Sequence, residues 1–478
     1  MAIYRIVSID EPNGIDNATD GGNYIYVKEG VLVSRPPGGS PAIALNFGSN
    51  VVTVHGEVAA ATGDGIDFGY YFGFIEGEET FRQSDNNKLA IGETGIITGQ
   101  GFHAISILGS NNLISNQGQI LENGNSSAIQ LFAGNGLRIQ NSGSIVSANG
   151  AIDLSGSIFS IPVTGNNFID NTGTIQSLGT DFASRIAIKG SAALDTVNNA
   201  GLINGNIMLG GGDDVFDGDG GRVQGTVYLE DGADTYTGGD FRDAVSGGTG
   251  NDSVDLGGGK DSFIVGGTDG NDEADGGDGW DTYFAGYTSV AVEIDLLGSH
   301  ASGSAIGNDV ILDFEKVVGS SQADRLIGDD DSNGLQGRAG ADVLIGNGGR
   351  DWLSGGNDAD TIYGNTGRDV LTGGTGADQF VYNSISEAGI YSTRDVITDF
   401  AHASDKINLS PIDANTGVGG DQAFAFIGTA AFTVAGQLRY QTAGAATIVS
   451  GDINGDHIAD FEIQLSGAIA VTGVDFIL

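Results

Sequence analysis

The sequence predicts an all-β fold of solenoid type, with a parallel β-helix-like N-terminal solenoid, then parallel β-rolls, then a β-rich C-terminal domain. Three observations carry this expectation. Apolar residues alternate with polar ones over short stretches instead of recurring at helical spacing. A nonapeptide repeats in unbroken register in the C-terminal half, and a glycine-centred motif returns at coil-length intervals in the N-terminal half. The 83 glycines accompany only 6 prolines, which excludes a collagen period and leaves glycine for tight turns.

Residues 1–40 read as an N-terminal β cap, closed by the Arg-Pro-Pro-Gly-Gly break at 35–39. Residues 41–208 read as the β-helix-like domain. A polar residue followed by x-Gly-x-Ile ends there at Ile97, Ile120, Ile145, Ile175 and Ile203, with spacings of 23, 25, 30 and 28 residues, close to one coil of a parallel β-helix. Strands are expected near Leu137 to Ile139 and Ile145 to Ser147, with Asn at the corners where left-handed backbone is tolerated. A β-sandwich with recurring turn chemistry is the competing reading.

Residues 209–284 form a first, irregular repeat array with good units at LGGGDDVFD, LEDGADTYT, GGDFRDAVS, GGTGNDSVD, LGGGKDSFI and GGDGWDTYF. Its register slips around Arg222 to Val227 and again in GGTDGNDEAD, which has one residue too many. A connector spans 285–318. The second array, 319–382, cuts without a gap into GSSQADRLI, GDDDSNGLQ, GRAGADVLI, GNGGRDWLS, GGNDADTIY, GNTGRDVLT and GGTGADQFV. Residues 383–478 form the C-terminal domain.

In the nonapeptide G-G-x-G-x-D-x-U-x the first six residues turn, exposing carbonyls, and x-U-x is a short strand whose apolar U points inward. Two units make one coil, so the loop of each unit stacks on the loop two units later. Carbonyl and carboxylate oxygens from two such loops form the hard-ligand set that suits calcium. On one edge the candidates are Asp324, Asp342, Asp360 and Asp378; on the other they are Asn333, Asp351 and Asp369, with Gly340, Gly349, Gly367 and Gly376 shaping the loops. Seven loops allow at most five sites, and the neutral Asn333 should weaken its own. The first array offers Asp234 with Asp252 and Asp243 with Asp261, and then Asp214, Asp272 and Asp281. Multiple calcium ions are therefore the expected cofactor. A site held at about ten times its dissociation constant adds about 1.4 kcal/mol, so five add about 7 kcal/mol, enough to decide folding.

These units resemble the repeats-in-toxin (RTX) family, most closely at GGTGNDSVD and GGTGADQFV, and the connector with VAVEIDL and GNDVILDFEKVVGS is similar to one found there. The resemblance implies a β-roll that stays largely unfolded at cytosolic calcium and folds outside the cell. From Asp395-Val-Ile-Thr-Asp-Phe400 onward the chain is similar to the C-terminal domain of serralysin-type proteases. That likeness implies an uncleaved type I secretion signal ending in an acidic and three apolar residues, as in Asp475 to Leu478. A last β-strand at Val474 to Leu478 is compatible with it.

Asp and Glu number 62 against 19 Lys and Arg, a formal charge of −43 that argues against nucleic acid as a partner. With no cysteine there is neither a disulfide framework nor a thiolate metal site. The N-terminus lacks a basic segment followed by an apolar core, and no apolar run of about 18 residues marks a transmembrane helix. Export and localisation are expected to be extracellular or at the outer cell surface.

Catalytic motifs are absent. No H-E-x-x-H occurs, and His55, His103, His300, His402 and His457 are scattered singly, so the protease is missing and no N-terminal histidine is expected beside a carboxylate pair. No catalytic residue is assigned. Asp452, Asn454, Asp456 and Asp460 take EF-like spacing, but His457 and Ile463 stand where the loop needs Gly and Glu, so a surface turn is favoured over an ion site. An acidic, aromatic stretch holds Asp64, Asp67, Glu76, Glu78 and Glu79 beside Tyr70, Tyr71, Phe72 and Phe74, and reads as a solvated loop with some capacity for sugars.

The first expectation for function is a non-enzymatic, secreted calcium-binding protein of the surface or matrix. Its partners would be calcium, a type I exporter, and an extracellular polysaccharide or cell surface. The alternative is a polysaccharide lyase or epimerase with its site in the β-helix, since β-helices joined to RTX modules resemble secreted mannuronan epimerases. A toxin or bacteriocin ranks third.

Overall fold

In a computed structural model of the chain, the described residues are 4–7, 15–17, 24–35, 41–45, 49–61, 64–68, 70–75, 78–82, 84–156, 163 and 165–478, with backbone alone for 4–7, 15–17, 70–75 and 78–82. The fold is all-β, a parallel β-helix and β-roll solenoid. Two compact units comprise Met1–Gly259 and Lys260–Leu478.

In the first unit each coil contributes one strand to each of three parallel faces. The motif isoleucines identify the second face, where Ile97, Ile120, Ile145, Ile175 and Ile203 stack in register and Val223 follows. All five isoleucines are fully buried. Their neighbours are parallel, which excludes the sandwich reading. A strand that buries every second residue and hydrogen-bonds to the next coil satisfies its backbone and its apolar side chains together.

The slip around Arg222 to Val227 has a structural cause. The strand Arg222–Gln224 is the last of the second face. Beyond it the first and third faces continue, with Val215–Asp217 pairing to Thr235–Thr237 and Val227–Asp231 pairing to Ala244–Thr249. A three-strand coil thus becomes a two-strand coil, and the repeat shortens accordingly.

In the second unit the nonapeptides alternate between two parallel faces. Arg325–Ile327, Val343–Ile345, Thr361–Tyr363 and Gln379–Val381 form one; Gly334–Ala339, Trp352–Asn357 and Val370–Thr375 form the other. The inward column Leu326, Leu335, Leu344, Leu353, Ile362, Leu371 and Phe380 is at most 1% exposed. Leu353→Ala should therefore destabilise the calcium-loaded chain by about 2–5 kcal/mol in thermal melts, since a one-residue-wide core cannot close around the cavity. The connector adds an excursion in the same face. Glu293–Asp295, His300–Gly303 and Gly307–Leu312 run antiparallel, and the outer two rejoin parallel strands at Arg325–Ile327 and Glu273–Asp275.

At the C-terminal end Gln437–Ala443, Ala446–Asp452 and Phe461–Ser466 form an antiparallel sheet, and Phe461–Ser466 also pairs with Val396–Ile397. The final strand Phe476–Ile477 lies parallel to Lys406–Asn408. Asp475 anchors it. Its fully buried carboxylate accepts the N–H groups of Thr472 at 2.6 Å and Ala403 at 2.8 Å and sits 2.8 Å from His402 Nδ1. Burial pushes this carboxyl up, but the two N–H groups and His402 outweigh it and hold it below the ordinary value. Asp475→Ala should raise amide exchange at Phe476 and Ile477 and at the facing Lys406–Asn408, at a cost of about 1–3 kcal/mol for the unsatisfied donors.

Candidate metal centre

The repeat turns are built for φ > 0. Gly340, Gly349, Gly367 and Gly376 adopt φ of 115°, 98°, 148° and 155°, and in the fifth unit Asp358 takes φ 75° at the same position. Such turns point carbonyls and the following Asp toward the neighbouring coil. All fourteen candidate Asp and Asn residues are buried, none more than 6% exposed.

Each such carboxylate uses one oxygen as a rung between coils. The N–H of Asp324 donates to Asp342 Oδ1 at 2.8 Å, Asp342 to Asp360 at 2.8 Å, and Asp360 to Asp378 at 3.0 Å. On the other edge Asn333 donates to Asp351 and Asp351 to Asp369, both at 2.9 Å. The pairings are those expected from the nine-residue period. In the first array Asp214 donates to Asp234 at 2.6 Å and Asp234 to Asp252 at 2.9 Å, while Asp261 donates to Asp281 at 2.6 Å. Asp272 donates to Asp309, and Asp243 is engaged by Tyr236 and the Gly239 backbone.

The second oxygen divides the candidates. Oδ2 of Asp342, Asp351, Asp360, Asp369 and Asp378, and of Asp214, Asp234 and Asp281, is buried without a hydrogen-bond partner. In the second array it faces the glycine that opens its own repeat. A Cβ placed on Gly337 would lie 2.2 Å from Asp342 Oδ2 and 2.7 Å from the Gly355 carbonyl oxygen, and one on Gly346 would lie 2.4 Å from Asp351 Oδ2 and 2.7 Å from the Gly364 carbonyl oxygen. Carboxylate and carbonyl oxygens of successive coils thus converge where no donor reaches them. Asp324 differs, because Ser320 donates its N–H to Oδ2 at 2.6 Å and its hydroxyl to Oδ1 at 2.8 Å. In Asn333 the Oδ1 accepts from Asp329 N–H at 2.7 Å, and Nδ2 is the buried unpartnered atom. These two rungs cap the array rather than add oxygens to it.

Burying a carboxylate with an unmatched oxygen disfavours its charged form. Burial accordingly pushes Asp342, Asp360 and Asp234 up to about 7, Asp351 and Asp214 to about 8, and Asp369 to about 6, with neighbouring carboxylates adding to the rise at most of them. A hard dication is the chemical complement of such a stack. The donor set of carboxylate and carbonyl oxygens fits calcium, and the residues that would hold it are Asp342, Asp351, Asp360, Asp369 and Asp378 with the carbonyls of the repeat-opening glycines.

Residues 196–478, more than half of the chain, match the family described as Peptidase M10 serralysin C terminal. The chain belongs to that family. Two solved repeat subunits of the mannuronan C5-epimerase of Azotobacter vinelandii are similar to parts of it. AlgE6R2 is 26% identical and covers 34% of this chain and 91% of its own, with a TM-score of 0.19. AlgE6R3 is 26% identical and covers 34% and 80%, also with a TM-score of 0.19. The extracellular lipase LipA of Serratia marcescens is 15% identical over 72% of this chain and 45% of its own, with a TM-score of 0.19. At these TM-scores none of the three bears on the argument. No curated protein matches the chain.

This serralysin C-terminal chain carries acidic rungs beyond its nonapeptides. Asp369 donates to Asp395 at 2.8 Å and Asp378 to Asp405 at 3.2 Å, while Asp195 donates to Asp214 at 2.6 Å and Asp281 to Glu315 at 2.7 Å. The Asp395 carboxyl lies beside the buried Tyr382 hydroxyl, and burial with the neighbouring Asp369 pushes it to about 9. A signal for these was present. Asp195, Asp309, Glu315, Asp395 and Asp405 each stand two positions before an inward apolar residue, namely Val197, Ile311, Val317, Ile397 and Ile407. Upstream the same position holds amides: Asn87 N–H donates to Asn112 Oδ1 at 2.9 Å, and Asn50 N–H to Asn87 Oδ1 at 2.9 Å. Within the first unit one edge of the coils therefore changes from neutral amide at Asn50, Asn87 and Asn112 to carboxylate at Asp195, Asp214 and Asp234.

Two other expectations concern separate sites. In the EF-like loop Asp452 accepts from Asn454, Gly455 and His457 N–H groups, and Asp460 accepts from Ile453 N–H and Asn454 Nδ2, so the turn satisfies itself. His103 departs from what the sequence suggested, because Asp64 interacts with it electrostatically and Glu122 interacts in turn with Asp64. Burial raises both carboxyls, Asp64 is lowered in turn by Ser106 and His103, and Glu122 is raised further by Asp64. These residues lie far apart in sequence, and only the stacking of coils unites them. Of the acidic, aromatic stretch, Asp64 and Asp67 are described in full, while the side chains of Tyr70, Tyr71, Phe72, Phe74, Glu76, Glu78 and Glu79 lie outside the described residues.

Proposed function

We propose that this chain is a secreted calcium-binding repeat protein that folds when calcium occupies the stacked turns, and that it acts outside the cell as a non-enzymatic surface or matrix component. The observation that carries the reading is the row of buried, unpartnered Oδ2 atoms facing carbonyl oxygens of the next coil. Calcium would neutralise those carboxylates and remove much of the repulsion within a chain of formal charge −43. The C-terminal domain supports export through a type I exporter, with Asp475 to Leu478 as part of the signal. Among the described residues no helix is long and apolar enough to cross a membrane.

Far-UV circular dichroism of the full chain, followed from chelator to millimolar calcium, tests this reading. A cooperative gain of β-structure is expected. A calcium-independent spectrum with no heat of binding by calorimetry would overturn it.

A second reading, a polysaccharide-modifying enzyme, is supported by a groove of about 440 Å³ lined by His103, Ser127, Gln130, Asp153 and Lys189, with Asp64 in electrostatic interaction with His103. His103 Nδ1 lies 3.1 Å from the Ser127 carbonyl oxygen, which orients the ring. Turnover of a glycan by the calcium-loaded chain, lost in His103→Ala, is the result this reading requires; inactivity across a broad panel would remove it.

A further inference from the structure

The end of the second face leaves a ledge. Arg222–Gln224 pairs on one side with Leu202–Asn204 and has no strand on the other among the described residues. The two-strand coil that follows leaves a groove of about 390 Å³ beside it, lined by Arg185, Arg222, Gln224, Thr226, Phe241 and Arg242. All three arginines are exposed. They are the charge of this groove, because Asp243, which also lines it, is buried with its carboxylate engaged by Tyr236 and the Gly239 backbone.

Their lack of acidic partners is the informative feature. With 62 acidic side chains for 19 Lys and Arg, an arginine in this protein has carboxylates in excess around it. Arg138, Arg325 and Arg394 do pair with Asp170, Glu293 and Glu462. Among the described residues Arg185, Arg222 and Arg242 form no ion pair, although they line one groove together. Three exposed guanidinium groups along one groove give it a local positive potential within a strongly acidic protein, which favours an external anion.

We propose that this ledge binds an acidic polysaccharide through its carboxylate or sulfate groups. The planar guanidinium forks match such anions in bidentate fashion. Phe241 is 47% exposed and lies 5.8 Å from the Arg222 guanidinium, so it offers an apolar platform to a sugar ring next to the charge. Gln224 and Thr226 supply amide and hydroxyl groups for ring hydroxyls. An open, mixed polar and aromatic groove suits a chain of linked sugars better than a compact ion. This ligand class rests on the extracellular reading above.

The test uses the calcium-loaded full chain and calorimetry against short oligouronides, a sulfated polysaccharide, a neutral polysaccharide and single-stranded DNA. Binding of the uronide or the sulfated polymer is expected, and the tighter of the two identifies the anion. Arg222→Gln with Arg242→Gln should weaken it more than tenfold, while the double Lys variant should recover part of the loss. The calcium-induced circular dichroism of both variants should match the parent, which separates failure of the ledge from failure of calcium folding. Unchanged affinity in the Gln variant, equal binding of the neutral polymer, preference for DNA, or no binding by the parent would each overturn the proposal.

Discussion

Replacing Asp342 and Asp360 together by alanine should raise the calcium midpoint of folding more than tenfold and remove most of the calcium-induced stability of the second array. Asp342 and Asp360 take part in three stacked pairings, with Asp324, with each other and with Asp378. Only the two pairings without Asp324 present free carboxylate oxygens on both sides, and at about 1.4 kcal/mol for a site held near ten times its dissociation constant they amount to about 3 kcal/mol. Alanine also strips the N–H groups of Asp324 and Asp342 of their acceptors, adding about 1–3 kcal/mol for each buried donor. Asparagine separates the two effects. Asp342→Asn with Asp360→Asn keeps a side-chain oxygen for each rung and removes the buried charge, so in chelator it should be at least as stable as the parent, yet gain far less from calcium. Denaturant melts with and without calcium read both quantities. A parent-like calcium response in the alanine variant would show that these carboxylates are turn residues and not ligands.

The second large effect is a reversal of pH dependence by calcium. Burial raises Asp342, Asp360 and Asp234 to about 7, Asp351 and Asp214 to about 8, Asp369 to about 6 and Asp395 to about 9 in the folded chain, against an ordinary value of 3.8. Between these limits the folded state binds more protons than the unfolded one, so stability falls as pH rises. In chelator the rolls should therefore be more stable at pH 5 than at pH 8, the loss setting in above the ordinary value of 3.8 and growing up to the raised folded values. Calcium competes with those protons, so its affinity should rise over the same window, with protons released on binding. Asp475 works in the opposite sense, because its folded value lies below the ordinary one and its anchoring of the last strand is lost only in stronger acid. Melts at pH 5 and pH 8, each with chelator and with calcium, check the sign. A calcium-free roll that gained stability toward pH 8 would contradict the burial of uncompensated carboxylates.

Much of this was legible in the residues. The column Leu326 to Phe380 and the isoleucines Ile97 to Ile203 are inward in the structure because a parallel solenoid places the same position of every coil on the same axis. Periodicity along the chain is then periodicity in space. The rungs Asp395, Asp405 and Glu315 escaped because they were sought by the full nonapeptide, whereas stacking requires only an acidic residue two positions before a buried apolar one.

By itself, then, the sequence determined the parallel solenoid, the inward core column and the two edges of stacked aspartates, all of which follow from local turn chemistry repeated at a fixed interval. Only the tertiary structure decided which carboxylate oxygens lack a donor, why Asp324 and Asn333 differ from the rungs after them, where the third strand of the coil stops, and that Arg185, Arg222 and Arg242 line one groove. The physical reason is that each of these depends on what the neighbouring coil presents. That neighbour lies 18 or more residues away along the chain, at a distance the register slips of the first array make irregular.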